Sequence, residues 1–280
     1  MLRTRVITAV VILLLLVGML FLAPPLVWAA FVLVIALAGC WEWSRMSALD
    51  QTGQAAFLAL SGAIGGALWI LYARTPESHF MTGASIAFVV AAVFWIVVAP
   101  LWLAKKGRPS PLVCALAGWV VMWPTWFAFV VLRDVSPWLL LAVAAVIWVA
   151  DIAAYFAGKR FGRHKLAPAV SPGKTWEGVI GALAGVAIYG IVLAFVARTL
   201  PTPISAIFDS AYGVPVVIAM LVLAALSIVG DLLESWMKRG AGLKDSSALL
   251  PGHGGILDRI DALTSTLPVA ALAIGLRSLA

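Results

Sequence analysis

Carboxylates, cations and glycines crowd into one window of this chain, Ser235 to Asp261. It holds Asp245, Asp258 and Asp261, the cations Lys238, Arg239, Lys244 and Arg259, and His253 set among Gly252, Gly254 and Gly255. In a protein with only 12 acidic and 19 basic residues, that is where chemistry is expected. Asp258 and Asp261 are three residues apart, which puts both on one face of a helix near its first turn. Asp231, Ser235 and Lys238 recur at i, i+4 and i+7 on the preceding helix, where Glu234 and Lys238 also have the spacing of an ion pair. Acids in a first turn satisfy the helix dipole without any metal. That does not explain Asp231, which enters from the neighbouring helix. Hard carboxylate oxygens with room for water are what Mg²⁺ accepts, so Asp231, Asp258 and Asp261 are the expected ligands. The glycines let backbone approach a ligand closely. A divalent ion, several cations and close backbone suit phosphoryl or nucleotidyl transfer, in which they neutralise charge building on phosphate oxygens. No HExxH motif, GxSxG elbow or Ser/His/Asp order competes for the role.

A second polar stretch runs from Lys159 through Arg160, Arg163, His164 and Lys165 to Ser171-Pro-Gly-Lys174-Thr175-Trp176-Glu177. Its ending resembles a P-loop, but the first glycine at the required spacing is missing. The better reading places Ser171 and Lys174 at a helix N-terminus, where free N–H groups and the dipole favour an anion. Glu177 is expected to cap that helix. Just before this stretch lies Asp151, inside an apolar run. A carboxylate there costs a few kcal/mol unless it meets a cation, a metal or water, so it is expected to face the bundle interior, with Tyr155 one turn on as a hydrogen-bond partner.

These residues must be positioned by a membrane protein. The 280 residues are 64% hydrophobic and 11% charged, with 13 Trp, the composition of an all-α polytopic chain. Nine apolar segments are legible, approximately 6–23, 26–41, 55–72, 82–103, 112–132, 137–157, 177–198, 212–233 and 262–279, most long enough to span a bilayer. No linker divides them, so 1–280 reads as one membrane domain, with N-terminal helices over 1–140 and catalytic helices and loops over 141–280. Nine spans leave Arg74, Arg133, Arg198 and Arg277 on one side and every other Lys and Arg on the opposite one. Basic loops stay inside, so the N-terminus and the polar window are predicted cytoplasmic. The net charge of +7 follows from that asymmetry beside anionic lipid and calls for no nucleic acid. Cys40 and Cys114 lie far apart in apolar segments, which excludes a zinc site or disulfide framework. Ala23-Pro24-Pro25 predicts a tight turn between two retained helices rather than a signal-peptide cleavage site. Trp41-Glu42-Trp43-Ser44-Arg45 reads as an interfacial anchor, His79 as solvated, and Lys105-Lys106-Gly-Arg108 as a turn that fixes topology.

The run Ser235-x-Met-Lys-Arg239, then Lys244-Asp245, then Pro251-x-His-Gly-Gly-Ile-x-Asp258-Arg-Ile-Asp261 resembles the signature of the phosphatidate cytidylyltransferase (CDP-diacylglycerol synthase) family. Ser171-Pro-Gly-Lys174-Thr-Trp-Glu-Gly178 and Asp151 with Tyr155 resemble it as well. The first 140 residues do so only in hydropathy and in the basic start. The resemblance implies an integral inner-membrane enzyme that joins CTP to phosphatidic acid, giving CDP-diacylglycerol and pyrophosphate with Mg²⁺. On that reading Asp231, Asp258 and Asp261 hold metal, and Lys238, Arg239, Lys244 and Arg259 neutralise triphosphate and pyrophosphate. Gly254 and Gly255 bring backbone near phosphate, His253 and Asp245 orient groups, and Ser171 and Lys174 hold either the lipid phosphate or the nucleotide. A second, monovalent cation and a homodimer complete the expectations. Two rivals are another membrane phosphotransferase and an ion-coupled transporter relaying through Asp151 and Asp231. The D-G-x-x-A-R start expected of CDP-alcohol transferases is missing, and the charges cluster on one side.

Overall fold

A computed structural model describes residues 2–75, 77–105, 107–199, 205 and 213–277 of the chain. Lys106 lies outside the described residues, as do the side chains of Arg3, Arg5, His79 and Arg277, so their expected placements have no counterpart here. The helices are α1 (Leu2–Leu22), α2 (Pro25–Met46), α3 (Gln51–Arg74), α4 (Glu77–Val93), α5 (Ala99–Ala104), α6 (Pro111–Val135), α7 (Pro137–Phe161), α8 (Trp176–Thr199), α9 (Gly213–Gly240) and α10 (Leu257–Arg277). A π-helical turn, Phe94–Val98, joins α4 to α5 in one rod. Each apolar segment read from the sequence falls on a helical rod to within a few residues. Among the described residues seven helices are long and apolar enough to cross a membrane, and α10 and the Val6–Leu22 stretch of α1 are not among them. The Ala23-Pro24 turn separates α1 from α2 as expected, with Pro25 at the first helical position of α2, where its missing N–H costs nothing.

At the centre stands α6, buried along most of its length between α2, α4 and α10. Lipid is as apolar as leucine, so packing, hydrogen bonds and small residues must hold such helices together. Indole N–H groups meet backbone carbonyls across helices: Trp28 to Phe129 at 3.1 Å, Trp126 to Ala29 at 3.0 Å and Trp43 to Cys114 at 2.7 Å. Trp43 is thus core, 2% exposed, and not the interfacial anchor expected of it. Arg133 donates to the carbonyls of Leu20 and Ala23, tying the first turn to the end of α6. Arg108 donates to the Met46 carbonyl and lies against Met237 and Gly240, where the C-termini of α2 and α9 favour a cation. It joins two helices, a role the sequence reading had not given it.

The second half is an α7–α8 pair packed on α9 and α10. Gly185 of α8 faces Ala153 of α7 so closely that an added Cβ would lie 2.6 Å from the alanine methyl, and Gly181 faces Ala157 more closely still. Between these helices the chain forms an antiparallel hairpin, β1 (Lys165–Ala167) and β2 (Ser171–Thr175), with Lys165 opposite Thr175 and Ala167 opposite Ser171. The all-α expectation missed it, because Pro172 and Gly173 read as loop residues and hide a short strand. Glu177, in the first turn of α8, also ties that helix start to the residue that leads into the hairpin. Its carboxylate accepts from the His164 N–H at 3.2 Å and contacts the ring Nδ1 at 2.6 Å, while the Thr175 hydroxyl accepts from Gly178 N–H.

A tight contact in the core gives a direct check. At Gly118 a methyl would run into the buried Trp43 indole, which its bond to Cys114 holds in place. Gly118→Ala is expected to cost about 1–3 kcal/mol, read as a melting temperature lower by about 2–10 °C in detergent.

Candidate active site

The acids meet where α9 crosses α10. A Cβ at Gly230 would lie 2.6 Å from the Ser265 hydroxyl and 2.8 Å from the Asp261 carbonyl, so only glycine allows the approach that brings Asp231 to Asp261. Ser265 completes the contact by donating to the Leu226 carbonyl at 2.9 Å. Asp261 sits in the first turns of α10, ahead of the apolar run. Burial, and then the neighbouring Asp231 carboxylate, push it up to about 7. Asp231 itself pairs with Lys174 at 2.6 Å and accepts from Ser235 at 3.3 Å.

Asp258 has a different environment. One oxygen takes the Lys238 ammonium at 2.5 Å; the other accepts from the Gly255 N–H at 2.8 Å and lies 3.0 Å from both the N–H and the hydroxyl of Ser246. Burial pulls its carboxyl upward, but the hydrogen bond and charge of Lys238 and the Gly255 and Ser246 N–H groups outweigh it and hold Asp258 below the usual range. Lys238 is buried and also bonds Glu234 at 2.6 Å, as the i,i+4 spacing predicted. It is the centre of an acid–lysine–acid triad, which leaves it poorly placed for the triphosphate role expected of it. The expected ligand trio therefore divides into the Asp231–Asp261 pair and a lysine-bound Asp258. Among the described residues no group of three or more His, Cys, Asp or Glu is placed to hold a metal ion.

The loop between α9 and α10 is anchored by a residue the sequence reading had assigned to the interface. Glu42, at the end of α2, is 0% exposed. Its carboxylate accepts from the Ser247 hydroxyl at 2.5 Å, the Ser246 hydroxyl at 3.1 Å and the Ile256 and Leu257 N–H groups at 2.9 and 2.6 Å. It caps α10 from a distant helix, satisfying N–H groups that the helix start leaves orphaned. Arg45 adds a bond to the Ser246 carbonyl at 3.1 Å. Gly255 is required because a side chain there would enter Ser246 and Glu42; Gly254 turns with φ of 79°. Sequence carried one usable signal for Glu42, a lone acid in an apolar helix, the same signal that singled out Asp151.

Two cavities adjoin this assembly. The first, about 570 Å³, is built by the loop itself and lined by Lys244, Asp245, Gly252, His253, Gly254 and Arg259 among others. Arg259 donates to the His253 carbonyl at 3.0 Å, and the His253 Nδ1 is buried with no hydrogen-bond partner. The second, about 430 Å³, lies between α7, α8, the hairpin and α9, with Asp151, Tyr155, Lys159, Lys174 and Asp231 in its wall. Asp151 faces this cavity and is exposed. The Tyr155 hydroxyl accepts from Lys159 at 3.4 Å and makes no bond to Asp151. Ser171 pairs with Ala167 in the hairpin and is not in the cavity wall. Arg239 closes the end of α9, donating to the Leu243 carbonyl at 2.8 Å.

The profile of the cytidylyltransferase family matches residues 3–276. The chain belongs to that family. It is 39% identical to a phosphatidate cytidylyltransferase of Pseudomonas aeruginosa over 97% of this chain and 96% of that protein. It is 35% identical to one of Haemophilus influenzae over 96% of each, and 37% identical to one of Brucella suis over 94% of this chain and 90% of that protein. This cytidylyltransferase is thus an enzyme, a nucleotidyltransferase in a multi-helical membrane fold, and the transporter alternative falls away.

Glu42→Ala in the cytidylyltransferase would strand two helix-start N–H groups and two serine hydroxyls. Leaving even part of that set unpaired costs about 3 kcal/mol or more. The expected outcome is a lower melting temperature together with faster protease cleavage between residues 243 and 256, with Glu42→Gln intermediate.

Proposed function

We propose that this cytidylyltransferase transfers CMP from CTP to phosphatidic acid, giving CDP-diacylglycerol and pyrophosphate for phospholipid synthesis. The relatives' names support the substrates. The observation that carries the reading is that two cavities with cations in their walls adjoin one acid cluster. Asp231 lies in the wall of the helical cavity, and Asp258 holds the loop that builds the other. A soluble triphosphate and a membrane-held phosphate need two such openings.

Mg²⁺ fits the acid pair. It is usually bound through one or two carboxylates, with water and substrate phosphate completing its shell. Asp231 and Asp261 would hold it, and their mutual repulsion, which adds to burial in raising Asp261, is what a dication would relieve. Bound there, it would supply charge neutralisation on phosphate oxygens. Asp258 would keep Lys238 and the loop in position, and Asp245 and His253 would orient the nucleotide. Lys244 and Arg259 would meet the triphosphate and departing pyrophosphate, with Gly254 backbone close by. A phosphate oxygen of phosphatidic acid then attacks the α-phosphorus of CTP as the bond to the bridging oxygen of pyrophosphate breaks. That oxygen is already ionised, so no strong general base is needed. The proposed setting is the bacterial inner membrane, with nine spans, the N-terminus and site on the cytoplasmic side, and a homodimeric assembly. A monovalent ion beside Mg²⁺ belongs to the same proposal.

Purified protein should release pyrophosphate only when CTP, phosphatidic acid and Mg²⁺ are all present. Asp231→Asn and Asp261→Asn should lower that rate by about a hundredfold or more, a loss on the scale of a removed transition-state contact, in protein of wild-type melting behaviour. Lys105→Ala, away from the cavities, should change it less than about tenfold. Near-wild-type turnover in either Asp variant would remove the metal assignment.

Protons and metal compete for Asp261, whose raised value near 7 means that it is largely protonated below that pH. Apparent Mg²⁺ affinity should therefore rise from pH 6 to pH 8. Asp261→Asn should flatten that rise, measured by Mg²⁺ titration of the lipid-free protein.

A further inference from the structure

We infer that the outer face of the β1–β2 hairpin is a docking surface for acidic headgroups of the surrounding leaflet, diester phospholipids distinct from the phosphatidic acid proposed as substrate. The face consists of Arg160, Phe161, Arg163, His164, Lys165 and Trp176, and none of these is in the wall of the helical cavity. Helix α7 ends at Phe161 and α8 begins at Trp176, and both are apolar enough to cross a membrane. The hairpin that joins them therefore stands where bilayer meets water. Folding brings the two aromatic residues to one place. Gly162 packs on Thr175 so closely that an added Cβ would lie 2.9 Å from the threonine methyl, and the Trp176 N–H donates to the His164 carbonyl at 2.9 Å. Phe161 and Trp176, at these contacts, are 64% and 54% exposed. Aromatic rings left uncovered at the end of a span settle at headgroup level. They set the depth of the hairpin. Arg160, Arg163, His164 and Lys165 are exposed beside them, at the height of lipid phosphate.

The cations of this face lack acids of their own. Glu177 is the one carboxylate between residues 159 and 177, and it is taken up by the His164 ring at 2.6 Å. Among the described residues Arg160, Arg163 and Lys165 form no ion pair. Lys165 donates to the Pro172 carbonyl at 2.8 Å, which holds its ammonium on the hairpin with donors to spare. The Arg160 guanidinium lies 5.9 Å from the centroid of the Phe161 ring, so charge and ring are presented together. The dipole of α7 accounts for Arg160 at its end. It does not account for Arg163 and Lys165, which lie past that end. The rings at the foot of the hairpin decide for lipid over an acidic protein, because such a protein would have to approach through the headgroup layer. Gly173, Lys174 and Thr175 of the same hairpin wall the helical cavity. Headgroups that hold the outer face thus steady a wall of the site without entering it.

The test uses full-length protein in phosphatidylcholine nanodiscs with increasing phosphatidylglycerol. Ala169→Cys, in the turn of the hairpin, carries an environment-sensitive dye, while Cys40 and Cys114 are buried and stay unlabelled. Phosphatidylglycerol should bring the dye into the headgroup layer, read as a blue shift and as quenching by headgroup-labelled lipid. High salt should reverse both, because the attraction is screened. Arg160→Gln with Arg163→Gln should raise the half-saturating phosphatidylglycerol fraction at least about fivefold, the worth of one cation at an anionic surface. Pyrophosphate release from CTP and phosphatidic acid should be several-fold faster with phosphatidylglycerol than without it. The double variant should keep the rate in neutral lipid and lose the gain, and Lys105→Ala should keep the gain. A dye signal indifferent to phosphatidylglycerol would overturn the docking surface, as would a response that survives the double variant. A hairpin that stays in water in every lipid and shifts only with soluble polyglutamate would give the face to an acidic protein. If the double variant does not fold, salt decides on the wild type, and a phosphatidylglycerol response that persists in high salt overturns the inference. The dye readout needs no turnover, so failure of the wild type to release pyrophosphate would count against the enzymatic reading and leave the docking surface to stand or fall on the quenching.

Discussion

One buried carboxylate holds the catalytic end of this molecule together. Glu42 reaches from α2 to the first N–H groups of α10 and to two serines of the preceding loop, and so joins three elements at one carboxylate. A carboxylate without water is costly unless every lone pair is used, and here the dipole and N–H groups of a helix start use them. The Ser246 hydroxyl then links Glu42 to Asp258, Asp258 links to Lys238, and Lys238 to Glu234. Position is passed along this chain of contacts from α2 to the loop between α9 and α10.

The same chain explains why similar residues have different work. Lys238 and Lys244 are six residues apart, but the first is enclosed by two carboxylates and the second stands on an exposed loop. Asp258 and Asp261 share a helix turn, yet one is held down by a lysine and backbone N–H groups and the other pushed up by burial beside Asp231. Each neighbourhood has one lysine built in, Lys238 at Asp258 and Lys174 at Asp231, and among the described residues Asp261 is the acid left without one. Division of labour among like residues is set by neighbours rather than by residue type.

Close helix contact is the condition for this arrangement in an apolar solvent. Gly230 brings α9 to α10, and Gly181 and Gly185 bring α8 to α7, each by omitting a side chain where backbones cross. The first contact sets the acid pair. The second leaves a small-residue wall beneath the hairpin, and with it the cavity that contains Lys174.

The order of apolar and polar segments determined the helices, because in a bilayer a backbone must satisfy its own hydrogen bonds and long apolar runs have little alternative to helix. It also marked the polar window as the candidate site, since charge is rare enough in this chain that its clustering is informative, and the motif there carried the family. Glu42 was misread because its partners lie about 200 residues away and nothing local distinguishes an anchor from a clamp. The β1–β2 hairpin was hidden by Pro172 and Gly173. Which carboxylates stand together, Asp231 with Asp261 and Asp258 with Lys238, was decided only by the crossing of α9 and α10, a contact fixed by packing geometry that linear spacing does not encode.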